Sequence, residues 1–380
     1  MRSASPPRTG FRCARLTTRG APAIVRARYA DPSTRPSAPL SHDGVQIARI
    51  ARRFALAWVA SVLILVAADA LVPQRSGPLA LVEILEPFLV LSGLLLAPIC
   101  LTGRSRAGAA VVVVLIVAVA LRYGPGLVTL PNSAIKANVT VTEWNVEAGD
   151  NGGQRVIDGL ASVSSDLVGL EELQPAMADA LATDPTIAAS YPYRSLAPDS
   201  SVYGVGLMSR FPILSATYSR AESARSATAP PFIRALVKIP NAPPTVVYVV
   251  HPLPATFQTF FHIPFAVDTT LRDAGIATIR AAIDADLAAG LTVLVMGDIN
   301  TTPREPAYAQ LSAGLQDARD AGMWPGLTWR WDPFKALPFG LLRIDYVFST
   351  ALPVSYDVRC TDLSDHCQVT AGLSFPVSLL

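Results

Sequence analysis

The chain has 380 residues, of which 51% are hydrophobic and only 16% are charged. Ordinary soluble domains are less apolar, and the excess lies between Phe54 and Tyr123, where a membrane explains it better than a larger core does. Residues 1–138 carry 16 Lys and Arg against 5 Asp and Glu, whereas residues 139–380 carry 15 against 24. This acidic second part does not favour duplex DNA as a partner, because proteins bind DNA largely through Lys and Arg at the phosphates.

The first part of the chain predicts a membrane anchor. Residues 1–48 are rich in Arg, Pro and Ser without an apolar period, so we predict a disordered basic tail. Residues 49–123 predict three transmembrane helices, at about 54–72, 79–101 and 107–123. The tail and the loop with Arg104 and Arg106 are basic, which places the amino terminus in the cytoplasm of an integral protein of the cell membrane. Three crossings put the rest outside; if the short third run did not cross, the rest would be inside.

A linker is predicted at residues 124–138, and a second domain at residues 139–380. Short runs rich in β-branched residues predict strands, and longer runs with helical spacing predict helices. The predicted strands are 139–145, 166–170, 205–209, 232–239, 245–250, 291–296, 343–349, 355–360 and 367–375, and the predicted helices are 154–164, 175–183 and 269–289. Strands outnumber helices and several hairpins are implied, so we predict an α/β sandwich of mixed sheets rather than a doubly wound parallel sheet.

Acidic, amide and imidazole side chains stand at the ends of five predicted strands. These residues are Asn145, Glu172, His251, Asp298 with Asn300, and Asp345 with Asp365 and His366. A strand fixes the backbone while the side chain at its end reaches a cleft, so such positions suit chemistry. Each residue alone is better explained by a turn, a helix start or a satisfied core histidine. The whole set predicts a functional site.

Seven stretches that contain these residues resemble, in the same order, the endonuclease/exonuclease/phosphatase superfamily of metal-dependent phosphoesterases. They are Trp144–Val146, Asp166–Glu172, Gly204–Ile213, Val250–Pro252, Gly297–Pro303, Arg343–Phe348 and Ser364–Cys367. The resemblance covers essentially the whole second domain and leaves the helical anchor outside. It implies a four-layer α/β sandwich of two mixed sheets flanked by helices, here preceded by the three transmembrane helices.

The resemblance also implies a metal site. Glu172 matches the metal-binding glutamate of the family, Asn145 matches the asparagine beside it, and Asp365 is similar to an acid near the metal. Oxygen donors of this kind suit Mg²⁺ or Mn²⁺, and no Cys/His cluster indicates zinc. Two positions depart from the family pattern, because Glu171 replaces the usual glutamine and Glu147 stands where some nucleases carry an aspartate.

The catalytic groups follow from the same comparison. His251 resembles the histidine that stabilises charge on the phosphate. Asp298 resembles the aspartate that orients or deprotonates the attacking water, with Asn300 as its transition-state partner. Asp345 is similar to the aspartate that holds the last histidine, here His366. An aspartate beside His366 would raise the pKa of the imidazole and make it a donor to the phosphate.

Cysteine and aromatic residues add further hypotheses. Cys360 and Cys367 flank a short connection between two predicted strands, so they form a disulfide or are two small buried residues. We expect the phenylalanines of the segment after His251 to pack in the core; the alternative is that they form a hydrophobic lip on the cleft or contact the membrane. The tryptophans wall the cleft or are buried. The residues concerned are Phe257, Phe260, Phe261, Phe265, Trp329 and Trp331.

The sequence therefore predicts a membrane-tethered, divalent-metal-dependent phosphoesterase. It would hydrolyse phosphodiester or phosphomonoester bonds by metal-assisted, in-line attack of water. The substrate would be a nucleic acid, or a phospholipid or small phosphodiester, and no protein partner is predicted. The alternative is a non-enzymatic envelope protein that keeps the fold for binding or scaffolding, which the complete set of site residues argues against.

Overall fold

The protein is described by a computed structural model that covers residues 42–72, 74–127, 135–148, 152–161, 163–219, 230–322 and 325–376. Most of the predicted basic tail lies before residue 42, and the centre of the predicted linker lies at residues 128–134, so both fall outside the described residues. Internal contacts divide the chain into residues 1–48 and residues 49–380.

Three long helices come first: α1 His42–Leu71, α2 Pro78–Leu101 and α3 Arg106–Leu127. All three are long and apolar enough to cross a membrane, in agreement with the prediction. α1 begins before its predicted span, because helix formers such as Gln46 and Arg49 continue the helix beyond its apolar part. The three helices bury Val59, Ala97 and Leu115 in a common cluster.

A charged network joins the three helices near one end. Arg122 of α3 donates to both carboxylate oxygens of Glu86 on α2, with Nε–O distances of 2.7 and 2.8 Å, and to Asp69 of α1 at 2.9 Å. The hydroxyl of Tyr123 donates to Glu86 at 2.9 Å. Charged groups are costly among apolar helices, so their mutual pairing is what permits them to be buried there.

The strands of the described residues follow in chain order, with short helices between them. The strands are β1 Val139–Asn145, β2 Leu167–Glu171, β3 Tyr193–Ala197, β4 Val205–Ser209, β5 Ile213–Ser219, β6 Phe232–Val237, β7 Thr245–Val250, β8 Thr256–Phe260, β9 Ile263–Asp268, β10 Thr292–Asp298, β11 Gln316–Asp317, β12 Asp345–Ser349, β13 Leu352–Arg359 and β14 Gln368–Ser374. The helices are α4 Gly152–Ala161, α5 Pro175–Thr183, α6 Pro185–Ser190, α7 Thr270–Ala288 and α8 Pro306–Ser312.

Two six-stranded sheets form the body of the molecule. Their strand orders are β13-β14-β1-β2-β4-β3 and β11-β12-β10-β7-β6-β5. In the first sheet β1 runs parallel to β2, and in the second β10 runs parallel to β7, whereas all other neighbours are antiparallel. Both sheets are therefore mixed, which confirms the predicted fold class.

Burial arranges these sheets and helices in four layers. Val141, Leu207, Val249 and Met296 pack between the two sheets in the central core. α4 and α5 cover the outer face of the first sheet, where Trp144 is buried. α7 covers the second sheet through isoleucines spaced for one helix face, which are Ile276, Ile279 and Ile283.

The topology collects the ends of several strands at one edge of the sandwich. Parallel neighbours end on the same side, so the carboxyl ends of β1 and β2 meet, as do those of β7 and β10. Gly297 of β10 allows β7 and β10 to approach closely, because a Cβ at this position would lie only 2.0 Å from the carbonyl oxygen of Val250. Its φ of 151° also lies outside the range that other residues adopt easily.

The hairpin β8–β9 stands apart from both sheets and contacts the start of α2. The amide of Gly77 donates to the carbonyl of Val267 at 2.7 Å, and the amide of Val267 donates back at 3.3 Å. The four phenylalanines of this segment are 48–83% exposed: Phe257, Phe260, Phe261 and Phe265. The expectation that they pack in the core is therefore wrong, because the hairpin leaves the sandwich and only its part around Val267 is buried, against the start of α2.

Candidate active site

Four polar side chains lie at the edge where the parallel strands end. Asn145 closes β1, Glu172 follows β2, His251 follows β7 and Asp298 closes β10. Asn145 connects the two sheets, because its Nδ2 donates to Glu172 Oε1 at 3.0 Å and to Asp298 Oδ2 at 3.1 Å. The structure therefore brings together residues that are far apart in the chain.

The carboxylate of Asp298 lies between two imidazoles. Its Oδ2 is 3.5 Å from Nε2 of His251 and 3.7 Å from Nε2 of His366. All three side chains are at most 6% exposed. Such a buried carboxylate is stabilised only if its neighbours carry hydrogen-bond donors or positive charge, and both imidazoles supply these.

Each imidazole is oriented through its other nitrogen. Nδ1 of His366 donates to Asp345 Oδ1 at 2.8 Å, and Nδ1 of His251 donates to the carbonyl oxygen of Val202 at 3.0 Å. Asp345 begins β12 and pairs with Asp298 across the ladder, so the two sheet strands fix the spacing of the carboxylates. Both Nε2 atoms are thereby turned toward Asp298.

The charges of this cluster stabilise one another. Burial disfavours the imidazolium of His251, but the hydrogen bond and charge of Asp298 outweigh burial and raise the pKa of His251 to about 9. Burial likewise opposes charge on His366, and Asp345 with Asp298 outweighs it and raises the pKa of His366 well above its usual value. The pKa of Asp298 is lowered despite its burial, because the two imidazolium groups favour the carboxylate. At neutral pH the cluster holds a carboxylate between two cations.

Asn300 and Asp365 lie beside this cluster in different roles. The backbone amide of Asn300 donates to Asp298 Oδ1 at 2.9 Å, while its side-chain Nδ2 donates to the carbonyl oxygen of Pro252 at 3.1 Å. Asn300 thus holds the loop and the carboxylate of Asp298 in place. Asp365 accepts a hydrogen bond from the Trp329 indole at 3.0 Å, and its Oδ1 lies 3.9 Å from Nε2 of His366.

Three residues around the site adopt left-handed backbone conformations. The φ angles are 59° at Glu147, 57° at Glu172 and 53° at Asn300. Non-glycine residues seldom occupy this region, and each occurrence costs on the order of 1 kcal/mol. Such conformations cluster at functional sites, so their occurrence at three positions here agrees with a functional role for this edge.

A pair of buried carboxyl groups lies beneath the site; sequence reasoning singled out Glu171 as a departure from the family pattern but missed Glu143 and the pairing. Glu143 of β1 and Glu171 of β2 are fully buried, and none of their oxygens accepts a hydrogen bond from a described donor. Burial raises the pKa of Glu143 well above its usual value and that of Glu171 to about 8, so burial favours the protonated form of both carboxyl groups. The sequence could have revealed Glu143, because side chains alternate between the two faces of a strand and Glu143 falls on the same face of β1 as Val141 and Asn145.

The remaining predicted residues lie around the opening. Lys335 forms an ion pair with Glu147, so this departure from the family pattern carries its own counter-ion. The Trp329 ring lies 6.5 Å from that of His366, and Trp331 is 60% exposed. Trp329 therefore forms part of the wall, and Trp331 is not buried.

A disulfide closes the loop that carries Asp365 and His366. In the structure Cys360 and Cys367 are bonded, with a Cα–Cα distance of 4.1 Å and a sequence separation of seven residues. The buried guanidinium of Arg330, which comes from a segment before β12, donates to two carbonyl oxygens of this loop, those of Thr361 and Ser364, at 2.5 Å each. The loop is held both by a covalent bond and by a buried guanidinium.

Two sets of side chains offer donors for a cation. Glu172 and Asp365 supply carboxylate oxygens, and the buried Asn145 adds an amide oxygen that already accepts from the amide of Glu147 at 2.9 Å. Burial raises the pKa of Asp365, and repulsion from Glu147 and Glu172 adds to this rise. Asp298, Asp345 and His366 form a deeper set whose donor atoms lie within 4.8 Å of one another. Oxygen-rich sets of this kind fit hard divalent cations.

The two mixed sheets, with carboxylate, amide and imidazole groups at one edge, define an α/β sandwich with a polar cluster at its strand ends. The sequence profile of the Endonuclease/Exonuclease/phosphatase family matches residues 142–366, which is more than half of the chain. The protein belongs to this family, which confirms the resemblance found in the sequence. Members of the family are phosphoester hydrolases that generally depend on a divalent metal.

Several solved structures are similar to this chain at low sequence identity. A functionally unknown conserved protein from Enterococcus faecalis V583 has a TM-score of 0.50 and 15% identity, over 62% of this chain and 100% of its own. Truncated TDP2 from Caenorhabditis elegans gives 0.48 and 16%, over 63% and 97%. A mannosyl-6-phosphatase from Bacteroides thetaiotaomicron VPI-5482 gives 0.47 and 15%, over 63% and 100%. A comparison with proteins of curated function returned no match.

Proposed function

We propose that the protein is an integral membrane phosphoesterase that depends on Mg²⁺ or Mn²⁺ and hydrolyses a phosphodiester or phosphomonoester by in-line attack of water. The observation that carries this proposal is the position of Asp298, within 3.7 Å of both His251 and His366 and hydrogen-bonded to Asn145. A carboxylate that binds water, flanked by two imidazolium donors, is what phosphoryl transfer requires.

We assign the metal to Glu172, Asn145 and Asp365, rather than to the deeper set. Nδ1 of His366 already donates to Asp345 at 2.8 Å, so this imidazole is held as a hydrogen-bond donor. This first set supplies oxygen donors, and solvent reaches it at Asp365, whose side chain is 21% exposed. When bound, a divalent cation neutralises charge on the phosphate oxygens.

The other residues divide the chemistry among them. Asp298 accepts a hydrogen bond from the attacking water, and its lowered pKa favours orienting the water over removing its proton early. His251 and His366 donate to the phosphate oxygens from Nε2, where negative charge grows in the transition state. Asp345 acts through His366 by fixing its tautomer, and Asn300 positions the loop that carries Asp298.

The competing hypothesis, a non-enzymatic scaffold, has less support. A scaffold gains nothing from a buried Asp298 between two imidazolium groups or from a left-handed Glu172, and both cost folding free energy. The residue types needed for hydrolysis are present and in mutual contact. We therefore favour an enzyme.

Hydrolysis of bis-p-nitrophenyl phosphate by the full-length protein in detergent tests the proposal. We expect activity with Mg²⁺ or Mn²⁺, none with EDTA, and a loss of at least about 100-fold in Asp298→Asn. Asp357→Asn is the matched control, because Asp357 is an exposed aspartate of β13 away from the cluster. Equal rates in Asp298→Asn and wild type would exclude the proposed mechanism.

A further inference from the structure

A cavity of about 540 Å³ lies between the long helices and the sandwich. One wall belongs to α2 and includes Phe88, Leu91 and Leu94. The opposite wall belongs to the sandwich and includes Arg304 and Leu342. The cavity is therefore mainly apolar on the side of the helices, where Glu83 and Arg122 also line it, and carries guanidinium groups on the side of the sandwich.

The apolar wall lies well within a helix that is able to cross a membrane. Phe88 and Leu94 lie about 15 and 24 Å along α2 from Pro78, at a rise of about 1.5 Å per residue. These side chains are not covered by the chain, since Phe88 is 39%, Leu91 53% and Leu94 37% exposed. In a bilayer the molecules that cover such a wall are the acyl chains of lipids.

Arg304 supplies a positive charge at the other wall. Its guanidinium stacks on the ring of Tyr123 at 4.6 Å and donates to the carbonyl oxygen of Arg122 at 2.8 Å. Among the described residues no carboxylate lies within ion-pair distance of it. The other cations of the lining are paired, Arg122 with Asp69 and Glu86, Arg319 with Asp320, and Arg343 with Asp317. The lining carboxylate Glu83 is only 2% exposed, so these residues line the cavity without offering free charge.

The same loops form the cavity and the candidate active site. Thr302 of the lining stands two residues after Asn300, and Leu342 stands three residues before Asp345. Thr302 is itself fixed within this loop, because its amide donates to Glu305 at 2.6 Å. A molecule that fills the cavity thus touches the segments that position the catalytic groups.

The exposed hairpin places the same edge of the sandwich at the membrane. Val267 of β9 pairs with Gly77, the residue immediately before α2, and Ser76 Oγ donates to Asp268 at 3.3 Å. The hairpin is therefore held at the level where α2 starts. Its exposed aromatic residues, Phe260 at 68% and Phe261 at 83%, suit the interface between head groups and acyl chains.

We propose that the substrate is a membrane phospholipid that enters from the bilayer, with an acyl chain along Phe88, Leu91 and Leu94 and its phosphate guided past Arg304 to the site. This inference rests on the proposed function and names its substrate class. A nucleic acid would use neither the apolar wall nor the aromatic hairpin.

Filling the cavity tests the inference. Full-length protein in nanodiscs of dioleoylphosphatidylglycerol is assayed for lipid hydrolysis and, in parallel, for hydrolysis of bis-p-nitrophenyl phosphate. We expect Leu91→Trp and Arg304→Gln each to lower lipid hydrolysis by about tenfold or more, a change that corresponds to about 1.4 kcal/mol, while hydrolysis of the soluble diester stays within about twofold. Leu95→Trp is the matched control, because Leu95 is 70% exposed on the same helix and does not line the cavity.

The two assays separate failure of this inference from failure of the proposed function. If all variants hydrolyse lipid at the wild-type rate, or if a single-stranded oligonucleotide is cleaved faster than lipid by both wild type and Leu91→Trp, the inference is wrong and the phosphoesterase stands. If wild type hydrolyses neither substrate, the proposed function is wrong. Native mass spectrometry then tests lipid binding in the cavity separately from hydrolysis. If wild type and Leu91→Trp retain the same lipid equally, lipid does not bind in the cavity.

Discussion

Asp298 and its two imidazole neighbours show how single residues set the chemistry of this edge. A lone buried carboxylate would take up a proton, and a lone buried imidazole would lose one. Here the contacts of 3.5 and 3.7 Å to His251 and His366 keep the carboxylate and both cations charged together. The site is therefore charged before any substrate binds, and it has little to rearrange during turnover.

Removing one imidazole or its partner should have unequal effects. We expect His366→Ala to lower kcat for bis-p-nitrophenyl phosphate by about 10²–10³-fold, because a donor to the phosphate is lost. Asp345→Asn should cost less, about 10–100-fold, because the imidazole remains and only its orientation and charge are weakened. Steady-state kinetics at saturating Mg²⁺ measure both changes. A larger loss in Asp345→Asn than in His366→Ala would contradict the assigned roles.

Glu171 should make the stability of the protein depend on pH. An unfolded glutamate ionises near pH 4.5, whereas burial raises the pKa of folded Glu171 to about 8. Between these values the folded protein holds a proton that the unfolded chain has lost, so stability falls as the pH rises. Glu171→Gln removes this proton and should lose less stability from pH 5 to pH 8, by about 2 kcal/mol or more.

Thermal unfolding at pH 5 and pH 8 measures this difference. The two melting temperatures should lie closer together in Glu171→Gln than in wild type, by at least about 4 °C. Asp357→Asn serves as the control, since this exposed carboxylate should leave the wild-type difference unchanged. An unaltered difference in Glu171→Gln would show that Glu171 does not remain protonated in the folded protein.

Among the strands, the close approach of β7 and β10 depends on one glycine. A Cβ on Gly297 would lie 2.0 Å from the carbonyl oxygen of Val250, so Gly297→Ala must push the two strands apart. We expect a loss of at least about 3 kcal/mol in stability, together with loss of activity. Gly290→Ala is the control, because its φ is 72° but nothing lies within 4 Å, and it should cost only about 1 kcal/mol. Denaturant unfolding distinguishes the two.

The connection between β13 and β14 should be oxidised in the protein as isolated. The chain has four cysteines, and the structure pairs Cys360 with Cys367. Thiol titration of the denatured, unreduced protein should therefore detect two free thiols, and the reduced protein four. Closing a loop of this length stabilises the fold by about 2.5 kcal/mol in the loop-entropy account. Four free thiols before reduction would show that the bond does not form.

Elements with strong patterns could be predicted from the sequence, and exposed elements could not. β4, β7 and α5 have the predicted bounds, because an unbroken apolar run or a proline start defines them. β5 was not predicted, since it is an exposed edge strand without alternation. The hairpin β8–β9 was missed because exposed phenylalanines look like core residues in a sequence.

At the scale of the whole molecule, the order of motifs predicted which residues meet but not how they contact. Asn145, Asp298 and His366 were expected in one site, and the structure places them in direct or adjacent contact. The side chain of Asn300 could not be assigned in advance, because its donor faces Pro252, a contact set by the path of another loop. Glu143 was missed because it resembles an ordinary strand residue until its neighbours are known.

The orientation of the molecule in the membrane is open to a direct test. The basic loop with Arg104 and Arg106, together with three crossings, predicts that the sandwich lies outside the cell. Alkaline phosphatase fused after Leu380 is active only outside, and green fluorescent protein fused there folds and fluoresces mainly inside. We expect an active phosphatase fusion and a dark fluorescent fusion. The reverse pattern would place the sandwich in the cytoplasm.

The bond between Cys360 and Cys367 has a consequence for the time at which the enzyme becomes competent. It closes the loop that holds Asp365 and His366, and reducing compartments do not support such bonds. If the sandwich lies outside the cell, as predicted above, a newly made chain carries an unfinished loop until export, and maturation coincides with arrival at the outer surface. Phosphoesters of the cell interior would be spared during synthesis without a separate inhibitor.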